Sequence, residues 1–187
     1  MAALRSVEEE VVGEASFAGG VSYPVGLIRL PEGVRFPNWR EERQVLTVRQ
    51  NARQLTDEVW EHVQSRLHRI GTDVRVLVRG NPGIGKSWWL WHLARHCLRA
   101  NRSVVFWSRA AGALYVFEHR GNGQFESYSL NEKDFGAWSF PLLQDPQTWL
   151  LMDPVGHGAP REPPRVPATV VLACSPDKKH YQQFAKE

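Results

Sequence analysis

Cysteine is scarce in this chain: Cys97 and Cys174 are the two among 187 residues. Neither has a second ligand at finger spacing, which argues against a metal pair and favours buried, reduced thiols in a reducing compartment, nucleus or cytoplasm. No apolar run approaches the ~20 residues that span a bilayer, so no membrane partner is expected. An excess of one charge is also lacking, since 23 Lys and Arg against 20 Asp and Glu leave a net charge of +3. That supports nucleic-acid binding only weakly, although a pI near 9.1 does not exclude it. Residues 1–13 carry Glu8, Glu9 and Glu10 without an apolar core segment, so no secretory leader is expected there. Internal repeats and low-complexity tracts are absent as well.

What remains is an ordinary globular composition, 42% hydrophobic and 23% charged, of a size that suits one domain with a sizeable core. Against it one stretch stands out. Gly80-Asn81-Pro82-Gly83-Ile84-Gly85-Lys86-Ser87 is a complete match to the phosphate-binding pattern G-x-x-x-x-G-K-[ST], the Walker A loop. The apolar run Val74 to Arg79 before it reads as a strand, and Trp88 to Arg99 after it has helical periodicity without a breaker. A strand that stops at a glycine-rich turn and restarts as a helix aims several backbone N–H groups at one point, and the positive helix end adds to their field. Lys86 would reach the outer phosphates and the Ser87 hydroxyl would ligand Mg2+. A plain strand-to-helix turn would explain Gly83 and Gly85. It would not explain a cation in the first helical turn, where it opposes the helix dipole.

Residues 1–52 hold Gly19-Gly20, Pro24, Pro31 and Pro37 and read as a loosely structured N-terminal arm, with one short strand over Val25 to Leu30 and a short helix over 41–52. From 53 to 187 the pattern is that of an α/β domain with a mainly parallel sheet. A helix is expected from a Thr56 cap, with Val59, Val63, Leu67 and Ile70 on one face and Gly71 as its stop. Strands follow at Val74–Arg79, Ser103–Trp107, Thr148–Asp153 and Thr169–Cys174. Leu114–Phe117 and Phe125–Tyr128, flanking His119 to Gly123, read as an inserted β-hairpin. Asn131 to Leu143 is short and irregular or helical, Gly156 to Pro167 is a proline-rich loop, and Asp177 to Glu187 begins as a helix.

A phosphate loop needs an acid to hold the metal, and Asp153 fits because it emerges at the end of an apolar strand, where ligands of open α/β sheets bind. Asp145 is a weaker candidate because it precedes a strand. Pro154 follows Asp153 where many P-loop ATPases place a glutamate that orients the attacking water, so binding is better supported than hydrolysis. Glu118, His157 and Glu162 are candidate substitutes without a positional argument. Ser175, just past the fourth core strand, either senses the outermost phosphate or caps the helix that follows. Trp88, Trp89 and Trp91 either pack the helix on the sheet, the favoured reading, or offer an aromatic surface to a base or partner.

The whole pattern resembles one family. The loop from Arg79 to Ser87, Leu114-Tyr115-Val116-Phe117, Leu150 to Val155 and the tail Ala173-Cys174-Ser175-Pro176 with Tyr181 and Phe184 look like the Crinkler and retrotransposon-hot-spot P-loop ATPases, over roughly residues 55–187. The resemblance implies a three-layer P-loop NTPase of the AAA-like, additional-strand (ASCE) class. It implies ATP and Mg2+ as cofactors, bound by Gly80, Asn81, Pro82, Gly83, Ile84, Gly85, Lys86, Ser87 and Trp88, with Ser87 and Asp153 at the metal and Lys86, Asp153 and Ser175 in catalysis. It further implies a nuclear association and completion of the site by a protein partner or a second copy. The chain departs from the family in showing no Crinkler header and in ending before the last strand and the distal arginine, as a truncated member would. Two other readings are a nucleotide-gated interaction domain that does not hydrolyse and a P-loop kinase, for which Arg161 and Arg165 in a proline-rich loop make a poor lid.

Overall fold

The computed structural model describes residues 9–16, 22–29, 45–48, 50–136, 139–154 and 164–176. In the N-terminal segment, expected as a loose arm, β1 (Glu9–Ser16), β2 (Ser22–Arg29) and β3 (Val45–Val48) pair as an antiparallel sheet in the order β1-β2-β3. The short helix expected over 41–52 gives way to β3, because Val45-Leu46-Thr47-Val48 is rich in β-branched residues that suit a pleated surface.

Helix α1 (Gln50–Ile70) starts six residues before the expected cap and runs through the 52/53 boundary. Thr56 is therefore not a cap. Its hydroxyl donates back to the Ala52 carbonyl at 2.8 Å, the usual way a buried threonine inside a helix is satisfied. The Gln-Asn-Ala-Arg-Gln-Leu run ahead of it contains enough good helix formers to extend the helix backwards. Val59, Val63 and Leu67 are buried as expected, but Ile70 is 50% exposed because the helix ends beside it, where the Gly71 amide closes on the Leu67 carbonyl at 2.8 Å.

The main sheet is built from β4 (Arg75–Arg79), β5 (Val104–Ser108), β6 (Ala113–His119), β7 (Phe125–Asn131), β8 (Trp149–Asp153) and β9 (Thr169–Cys174), in the spatial order β4-β9-β8-β5-β6-β7. The first four in that order are parallel, and β6 and β7 add to the edge antiparallel. The hairpin thus widens the sheet rather than interrupting it, with Val104 opposite Phe117 and Ser108 opposite Ala113. Strands β5, β8 and β9 are buried throughout, which is why their sequences are continuous apolar runs and not alternating ones.

Helix α2 (Lys86–Arg99) contains no glycine, proline or β-branched residue and lies with α1 on one face of the sheet. Trp89, Leu90, Leu93 and Cys97 meet Val63 of α1 and Phe106, Trp149, Leu151 and Val171 of the sheet in one core. The opposite face presents Val105, Leu150, Met152, Val170 and Leu172. Among the described residues that face is covered by Phe135 and Phe140, by Leu142 and Leu143 of the 3-10 turn Pro141–Gln144, and by Val166 and Ala168, so the second helical layer expected of a three-layer fold is not seen there. The helix expected over 177–187, with Tyr181 and Phe184, lies outside the described residues. No helix among the described residues is long and apolar enough to cross a membrane.

Candidate phosphate-binding site

The carboxyl ends of β4, β9, β8 and β5 lie along one edge of the sheet, with Arg79 opposite Cys174 and Asp153 opposite Ser108. The glycine-rich loop occupies this edge between β4 and α2. Gly83 and Gly85 have φ of 81° and 93°, left-handed values that a side chain rarely adopts. Gly85 immediately precedes the helix, and its carbonyl accepts from the Trp89 amide at 2.9 Å. The Gly80 amide ties the loop to β9 by donating to the Cys174 carbonyl at 3.2 Å.

The first turn of α2 holds no acid, while Lys86 adds an ammonium to the positive helix end. That ammonium bends back onto its own loop and donates to the carbonyl oxygens of Gly80 at 2.7 Å and Asn81 at 2.9 Å. Asn81, Pro82, Gly83 and Ile84 are exposed, whereas Gly85, Lys86, Ser87 and Trp88 are half-buried. The loop therefore offers amide hydrogens, a hydroxyl and a cation to solvent, the set that a polyphosphate requires.

Asp153 closes β8 and is 7% exposed. Alternation along the strand places it with Trp149 and Leu151, on the face that α2 covers. One strand, β9, separates β8 from β4, so the acid and the loop stand two strand spacings, about 10 Å, apart along the edge. Ser175 is the half-buried residue just past β9; the segment it was expected to cap lies outside the described residues. Cys174 is buried beside them. Burial raises its thiol pKa against the opposing fields of Lys86 and Arg79, so it stays a neutral thiol within the loop's field.

The tryptophans divide. Trp91 stacks on Phe106 with ring centroids 3.8 Å apart, and the buried Trp89 donates through Nε1 to the Thr56 hydroxyl at 3.1 Å. Both belong to the core, as the packing reading expects. Trp88 is half-buried and packs against the same core, next to Ser87.

The other acids sort by position. Glu118 pairs with Glu126 near the hairpin turn and bridges to Arg120 at 2.7 Å, at the end of the sheet away from the loop. From that end of the sheet it does not stand where the missing glutamate would, contrary to the expectation from sequence. Asp145 accepts from the Gln147 amide at 2.9 Å in the turn that leads into β8, again at the far end. His157, Arg161 and Glu162 lie outside the described residues. Two residues that sequence reading passed over stand at the loop's edge of the sheet. Ser108 ends β5 directly opposite Asp153, and the Arg109 amide donates to the Asp153 carbonyl at 3.2 Å. Only strand register could reveal them, because they are 45 and 44 positions away from Asp153 in sequence.

Comparison with protein-family models, with curated proteins and with solved structures found no match to this chain.

Proposed function

We propose that this chain binds Mg-ATP through the loop from Gly80 to Ser87 and serves as the ATPase module of a Crinkler or retrotransposon-hot-spot-like protein. The observation that carries the reading is the placement of a lysine-bearing glycine loop and a buried aspartate at the same edge of a parallel sheet. The interposed strand β9 stands between β4 and β8, where the proposed class would have its additional strand.

The donor set suits the metal. Mg2+ takes one or two protein oxygens and fills its shell with water and phosphate oxygens rather than a protein cage. Among the described residues no cluster of three His, Cys, Asp or Glu forms such a cage, and the Ser87 hydroxyl and Asp153 carboxylate would be the two protein oxygens offered to the metal. When bound, the metal would neutralise charge on the outer phosphates. The loop amides would hold the phosphates in line, and Lys86 would leave the Gly80 and Asn81 carbonyls for the outer phosphate oxygens.

A second reading rests on Pro154. It follows Asp153 and brings no carboxylate to orient water, and the position of Glu118 removes one substitute. This favours a domain that binds nucleotide as a signal for protein partners without turnover. Isothermal calorimetry with Mg2+ and a non-hydrolysable ATP analogue tests the shared claim: heat from the parent chain and none from Lys86→Ala supports it, and no heat from folded parent chain rejects it. Steady-state phosphate release then separates the ATPase from the silent binder.

A further inference from the structure

We propose that β7 is a pairing edge through which two copies of this chain join antiparallel, with Tyr128 of each on the two-fold axis. The edge lies across the sheet from β4 and the glycine loop, so the pairing does not depend on nucleotide.

Strand β7 ends the sheet order, with β6 on one side and no strand on the other among the described residues. Which of its backbone groups face outward follows from the two ends of the hairpin. The Arg120 amide donates to the Gln124 carbonyl at 2.9 Å, and the Glu132 amide donates to the Gly112 carbonyl at 2.9 Å. Antiparallel ladders bond every second residue, so Glu126, Tyr128 and Leu130 turn their backbone toward β6, while Ser127 and Ser129 turn theirs away. Both serines are exposed, and outward amides and carbonyls of this kind are the template that an added strand requires.

The strand carries no guard against such pairing. It pairs with β6 along its whole length without a bulge, and it holds no lysine, arginine or proline, residues that commonly blunt an edge. The opposite edge, β4, is five residues long and has Arg75 and Arg79 at its ends. The one charged residue of β7, Glu126, is matched by Arg120 at 2.6 Å.

The sequence selects the register. With the axis at Tyr128, Ser127 of each copy meets Ser129 of the other, and each such pair exchanges two hydrogen bonds. Glu126 then faces Leu130, so no like charges oppose. The two Tyr128 residues form a non-hydrogen-bonded pair with α-carbons about 4.5 Å apart, close enough for an aromatic contact. An axis at Glu126 would set two carboxylates face to face, and an axis at Leu130 would carry Ser127 past the end of the other strand. This self-complementary pattern favours a second copy over an unrelated strand.

Sedimentation equilibrium of the full chain over a range of concentrations tests the pairing. The parent is expected to dimerise. Tyr128→Lys places two ammonium groups at the axis, and Ser129→Pro removes an outward N–H while sparing the ladder to β6. Each should raise the dissociation constant at least about tenfold with an unchanged circular dichroism spectrum. Should Ser129→Pro fail to fold, Tyr128→Lys decides alone. Tyr128→Cys should form a disulfide-linked dimer under copper phenanthroline, since α-carbons about 4.5 Å apart lie within the roughly 4.4–6.8 Å range of disulfides. Ser127→Cys, one residue off the axis, should cross-link poorly, and the native Cys97 and Cys174 are buried. A parent that is monomeric at every concentration overturns the proposal. So does a dimer that Tyr128→Lys leaves intact, or equal cross-linking by the two cysteine variants.

Discussion

The Lys86 ammonium sits 2.7 Å from the carbonyl oxygen of Gly80, six residues back along the chain, so the cation of the loop is held by the loop's own backbone. A phosphate must draw the lysine away from two neutral carbonyls. The exchange would favour the phosphate because the ammonium would then face a full negative charge in place of two neutral carbonyl dipoles.

Lys86→Ala is expected to weaken binding of an ATP analogue at least about tenfold, since one hydrogen bond to a charged group contributes about 1.5–3 kcal/mol. The Lys86 ammonium donates to carbonyls of its own exposed loop, so thermal unfolding should stay close to that of the parent. A variant that binds as tightly as the parent would show that the phosphate site is elsewhere.

The loop glycines should differ in tolerance. Gly85→Ala forces a side chain into φ of 93° and is expected to cost roughly 1–2 kcal/mol and to impair nucleotide binding. A β-carbon at Gly80 clashes with the tip of Ile84, which is 56% exposed and can turn aside, and makes ordinary contact with Lys86 Cδ at 3.7 Å, so Gly80→Ala should bind nearly as the parent does. Titrating both variants with the same analogue checks the ranking, and the reverse order would contradict this loop geometry.

Behind the loop, the Thr56 hydroxyl accepts from Trp89 Nε1 at 3.1 Å and meets His92 Nδ1 at 3.0 Å. Because that hydroxyl donates to the Ala52 carbonyl, the His92 Nδ1 must carry a hydrogen to complete the contact. Thr56→Val leaves two buried donors without their acceptor and should lower stability by about 1–3 kcal/mol in urea unfolding. Paired with Trp89→Phe the losses should be less than additive; strict additivity would mean the contact carries no coupling energy.

Acid should weaken the fold through His96. Burial lowers its pKa from the ordinary 6.5, with Arg99 and Arg95 acting in the same direction and Asp57 against it. The folded chain therefore prefers the neutral ring, which packs edge-on to Trp60 at 4.7 Å. Above 6.5 both states are neutral and the contribution is complete. As pH falls, the unfolded chain takes up its proton first, so stability declines from 6.5 down through the lower folded value. Urea midpoints on either side of that window should differ for the parent more than for His96→Gln, and equal slopes would refute the assignment.

Much of the site was legible because it is local. Gly80 to Ser87 signals its turn, its helix start and its cation within eight residues, and Asp153 follows from an apolar run that ends in an acid. The start of α1 was not legible, since a threonine ahead of two acids looks like a cap whether or not the preceding turn is helical; burial of Thr56 against α2 decided it. β3 was misread because an Arg- and Gln-rich flank has helical propensity that pairing with β2 overrides. The place of Glu118 was not legible either, because antiparallel pairing of β6 sets its end of the strand away from the loop.

By itself the sequence determined the parts whose physics acts over one turn or one strand: the glycine loop, the uninterrupted helix after it and the buried strands of the sheet. Tertiary structure alone decided which strand ends meet, that β9 lies between the loop and Asp153, and that Ser108 faces that acid across the sheet. Hydrogen-bond register between distant segments sets those neighbours, and register depends on how whole faces pack and not on any short run of residues.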